Sequence, residues 1–80
     1  MRVSKVIKIE KIADLSAFVK CAEGASSDVI CTRGRFVTDG RSLLGVFALN
    51  PVEPFTVEYD EIDIGLHNYI QQLEVKNAKF

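Results

Sequence analysis

Few residues in this chain belong to types that do chemistry, and their spacing narrows what that chemistry is. There is one histidine, His67, with Glu61 and Asp63 shortly before it. A single imidazole in a predicted helix reads most simply as a surface or half-buried side chain. The two cysteines, Cys21 and Cys31, lie ten residues apart. Neither has a base close in sequence, so the pairing that activates a thiol nucleophile is missing. No other ligand cluster accompanies them, so a metal site is not expected. They read as free thiols that pack as small apolar groups. Lys11 stands alone as a cation and is expected to be solvated. Ser42 directly precedes an apolar run, where its hydroxyl is suited to cap a helix. These residues give no catalytic group, no cofactor site and no enzyme activity to expect.

The elements must fit in 80 residues, which suits one small domain over residues 1–80. A chain of this length buries only roughly 60–65% of its unfolded surface. The 48% hydrophobic content is enough for a compact core and argues against disorder. The net charge is −1, with no long basic stripe, so nucleic acid is not an expected partner. Arg2, Lys5, Lys8 and Lys11 are separated by apolar residues and read as the solvent face of a strand. No apolar run approaches the roughly 20 residues of a membrane span. No leader pattern opens the chain, and two cysteines are few for a small secreted domain. The expected location is the cytoplasm.

Alternation and β-branched residues predict a first strand from Arg2 to Glu10. Leu15, Phe18, Val19 and Ala22 recur at helical spacing and predict a first helix, with Asp14 at its start. Gly24 is placed to end it in a left-handed conformation. Asp28 to Thr32 predicts a strand, Arg33-Gly34-Arg35 a tight turn, and Phe36 to Thr38 the returning strand of a hairpin. Asp39-Gly40 breaks it. Ser42 then caps a second helix from Leu43 to Leu49. Val46 and Leu49 are spaced to enter the core, which leaves Leu43, Leu44 and Phe47 either toward the exposed flank or covered by a loop, the C-terminal tail or the core itself. Asn50 to Pro54 is a loop, because Pro54 lacks a donor and Pro51 restricts Asn50. Phe55 to Tyr59 alternates as a half-buried strand. Asp60 to Asp63 opens a last helix with acidic residues where its dipole favours them, and its core face is Leu66, Tyr69, Ile70 and Leu73. The tail from Lys76 is expected to fray. The order β-α-β-β-α-β-α predicts an α+β fold, a four-stranded antiparallel sheet with three helices on one face.

Three segments in this order resemble HPr, the phosphocarrier protein of the bacterial sugar phosphotransferase system. They are Ala17-Phe18-Val19-Lys20 with Ala22 and Gly24, the hairpin from Val29 to Val37, and Ser42-Leu43-Leu44-Gly45-Val46-Phe47-Ala48-Leu49 with Arg41 before it. The spacing fits without gaps from Leu15 to Val57. The resemblance implies an HPr-like open-faced sandwich. It also marks a departure. The family opens its first helix with a histidine that carries the phosphoryl group, then an arginine and a proline. Here the matching positions are Lys11, Ala13 and Asp14. Lysine cannot replace the imidazole, alanine offers no guanidinium, and a carboxylate at Asp14 can cap the helix amides and repel phosphate.

The resemblance therefore implies a divergent member that is not a histidine phosphocarrier. It implies a regulatory module that binds another protein through the second helix, with Leu43, Leu44 and Phe47 in contact. The family's regulatory serine matches Ser42, which becomes a candidate phosphosite, with Arg41 and Arg35 as candidate anion contacts. A phosphate at a helix start is electrostatically favoured. Two other readings stand beside this one: a phosphoryl carrier whose acceptor has moved to His67, and a domain that binds a small molecule.

Overall fold

The computed structural model describes residues 1–75 of the chain, so the expected fraying from Lys76 lies outside the described residues. Its elements run β1 (Arg2–Ile7), α1 (Ile12–Glu23), β2 (Ile30–Arg33), β3 (Phe36–Asp39), α2 (Leu43–Ala48), β4 (Phe55–Asp60) and α3 (Ile64–Leu73). The four strands form one antiparallel sheet in the order β1-β4-β2-β3. This is the α+β order expected from the sequence.

The alternation within β4 builds the core. Phe55, Val57 and Tyr59 are buried, and the residues between them point to the other face of the sheet. On the same inner side lie Ile7 of β1 and Cys31 of β2, and α1 contributes Leu15, Phe18, Val19 and Ala22. The Phe18 and Phe55 rings meet edge to face at 6.5 Å and 85°, a geometry that adds about 0.5–1.5 kcal/mol to simple burial. Helices α1 and α3 lie antiparallel. The Tyr69 hydroxyl donates to the Asp14 carbonyl at 3.3 Å near the start of α1, and Ser26, just past its end, donates to Asp63 at the start of α3. Leu66 and Ile70 are buried, whereas Tyr69 and Leu73 are only half-buried at the margin.

Several expectations need correction. Strand β1 stops at Ile7 because its partner begins at Phe55, and the next facing position would be Pro54, which has no N–H to offer. Ile9 leaves the sheet and donates to the Pro51 carbonyl at 2.7 Å. Lys5 is not on the solvent face. It shares the inner side with Val3 and Ile7, at the sheet edge, with its ammonium 3.8 Å from Glu74. Strand β2 starts at Ile30 rather than Asp28, and one position earlier the Gly40 amide donates to the Val29 carbonyl at 2.7 Å, in line with the β2–β3 register. Helix α1 starts at Ile12, and Asp14 sits in its first turn without capping it. Gly24 ends α1 with φ −84°, an ordinary right-handed value. The left-handed stop is instead Asn50, φ +62°, just after Leu49, the terminal cap of α2. Asn adopts that conformation more readily than most residues. Gly34 opens the two-residue β2–β3 turn with φ +60°, as the hairpin requires.

The acidic opening of α3 also works differently from expectation. No acidic side chain lies in its first turn. Asp60 accepts from the N-terminal ammonium at 2.8 Å and from the Ile62 amide at 3.0 Å. Asp63 accepts from the Ser26 amide and hydroxyl, both at 2.8 Å, and from the Ser27 hydroxyl at 3.1 Å. These donors hold its carboxyl below the usual range, the Ser26 amide most strongly.

Candidate docking surface

Helix α2 has only two turns and one buried residue, Val46, followed by buried Leu49 at its end. It lies close on β3. A Cβ at Gly45 would collide with the Thr38 hydroxyl, so glycine at this position sets the approach of helix to strand. The Ser42 hydroxyl accepts from the Gly45 amide at 3.1 Å and caps the helix. With Val46 and Leu49 fixed inward, helical geometry turns the remaining large residues outward. Leu43 is 47% exposed, Leu44 80% and Phe47 59%.

This apolar flank continues onto other elements. Phe47 lines an open cleft of about 270 Å³ with Ile9, Ile12, Leu15, Pro51 and Val52, and Glu10, Lys11 and Asn50 complete its walls. Ile12 is 73% exposed and Val52 49%. The start of α1, Phe47 on the outer face of α2 and the loop before β4 thus form an apolar shelf, while Leu43 lines a separate hollow with Ser16, Val19, Lys20 and Glu23 of α1. Such patches on small proteins mark interaction sites more often than isolated exposed residues do. The sequence reading missed Ile12 and Val52. Ile12 stands three residues before Leu15, where helical spacing alone would bury it. Its overlap with Phe47 depends on how α1 and α2 pack, which local pattern does not contain.

Lys11 lies on the rim of this cleft and is the N-cap residue of α1. Among the described residues no side chain caps that helix start, and Asp14 stands in the first turn. The structure places Lys11 and Ser42 at different corners, since Ser42 is at the far end of α2 from the cleft. Arg41 is paired with other carboxylates in this structure. Its guanidinium is 3.1 Å from Asp39 and 3.1 Å from Asp28. Asp39 also accepts from the Arg41 amide at 2.9 Å, and these bonds hold its carboxyl below the usual range. Arg35 is exposed in the hairpin turn, at the opposite end of β3 from Ser42, and the structure does not bring the two together.

His67 does not approach the start of α1. Its Nδ1 is 2.6 Å from the hydroxyl of buried Tyr59, and its Nε2 is 2.9 Å from the Gln71 amide nitrogen. The ring therefore satisfies a buried phenol, and both its nitrogens are engaged. Cys31 is buried, and burial pushes its thiol up to about 12, with Asp39 adding to the effect. Cys21 is half-buried. Among the described residues, no group of three or more His, Cys, Asp or Glu side chains could hold a metal ion, and no helix is long and apolar enough to cross a membrane.

Comparison with protein-family models, curated proteins and solved structures finds no match.

Proposed function

We propose that this chain is an HPr-like module of the phosphotransferase type that acts by binding another protein through the α2 shelf, and that it is not a histidine phosphocarrier. The observation that carries the reading is the shelf itself: Leu43, Leu44 and Phe47 exposed on one short helix, extended by Ile12 and Val52. A helix held so shallowly uses little of its apolar surface for its own core, and a partner would bury the rest. The order of elements supports the resemblance to HPr. Lys11, Ala13 and Asp14 support the loss of carrier activity, because the anionic Asp14 occupies the turn where phosphate would be held. His67 is a poor replacement acceptor, with both ring nitrogens already bonded.

Ser42 is the candidate regulatory phosphosite of this module. Its exposed hydroxyl stands next to Leu43 and Leu44, so a phosphate there would put charge beside the docking surface. Peptide mass spectrometry on protein recovered from its host should find a phosphate on the fragment containing Ser42. Unmodified serine under every growth condition tried would remove this part of the reading.

The docking role is tested by capture from host lysate with the wild-type domain and with a Leu44→Asp, Phe47→Asp double variant shown to be folded by circular dichroism. A defined partner that binds only the wild type supports the role. Equal background recovery by both would leave the shelf without a function. A second reading rests on the cleft, whose apolar walls and Lys11 rim suit a small ligand with an apolar body. A metabolite that raises the melting temperature of the wild type but not of Phe47→Asp would favour it.

A further inference from the structure

We draw no further inference here: the strongest candidate, the second apolar patch where Ile62 and Ile64 stand exposed beside the half-buried Cys21 thiol between the end of α1 and the start of α3, has nothing in the structure to show what covers it.

Discussion

At the scale of single residues, polar groups tie together segments that are distant in sequence. Asp63 is the plainest case. One carboxylate ties the α1–β2 loop to the start of α3 through three donors. Its folded pKa is depressed, so the folded state binds fewer protons than the unfolded state wherever the unfolded carboxyl titrates. The stabilisation is complete above the unfolded value near 4 and is lost as pH falls through the lower folded value. Asp60 and Asp39 act in the same direction. Urea melts between pH 7 and pH 2 should show the midpoint falling as the solution passes below about pH 4. Asp63→Asn should flatten that dependence. The thiols give a second expectation. Cys31 is fully buried with its pKa raised, while Cys21 reaches solvent in part. A thiol reagent applied to the native protein should label Cys21 alone, and both cysteines should react in denaturant. Fast native labelling of Cys31 would mean that the core opens readily.

At the scale of elements, two glycines in helices make opposite predictions. Gly45 faces Thr38 with no room for a Cβ, whereas Gly65 in α3 has open space around it. Gly65→Ala should stabilise the protein by about 0.5–1 kcal/mol, as helix propensity and chain entropy both favour alanine. Gly45→Ala should destabilise it despite the same propensity gain, because α2 must move off β3. Chemical denaturation of the two variants checks the contrast, and equal effects would mean that α2 is not held against the strand. Ser42→Ala should cost about 1 kcal/mol through loss of the cap on α2. Most of the elements were legible in the sequence. The stripe Leu15, Phe18, Val19, Ala22 and the alternation Phe55, Val57, Tyr59 each fix a face without help from the rest of the chain. Their ends were less so. The stop of β1 depends on Pro54, some 47 residues away from Ile7, and the role of Asp63 depends on Ser26 across the fold. Such partners are distant in sequence, so no local pattern announces them.

At the scale of the whole molecule, one core on the inner side of a four-stranded sheet leaves α2 the least embedded helix. That economy produces the shelf. The exposed flank of α2 was legible, because Val46 and Leu49 fix which side points inward. The contribution of Ile12 and Val52 was not, since it arises only when α1 and the loop before β4 meet beside Phe47. The sheet's other face supplies an internal control. Val37 is exposed there, on β3, away from the shelf. The most direct test of the proposed docking is the affinity, by calorimetric titration, of a protein captured by the wild-type domain, for the wild type, for Leu44→Asp with Phe47→Asp, and for Val37→Asp. Central apolar anchors in an interface are worth roughly 2 kcal/mol or more each, so losing both in the double variant should weaken binding about 700-fold. Val37→Asp should bind as the wild type does. Unchanged affinity in the double variant, or a loss confined to Val37→Asp, would contradict docking through α2.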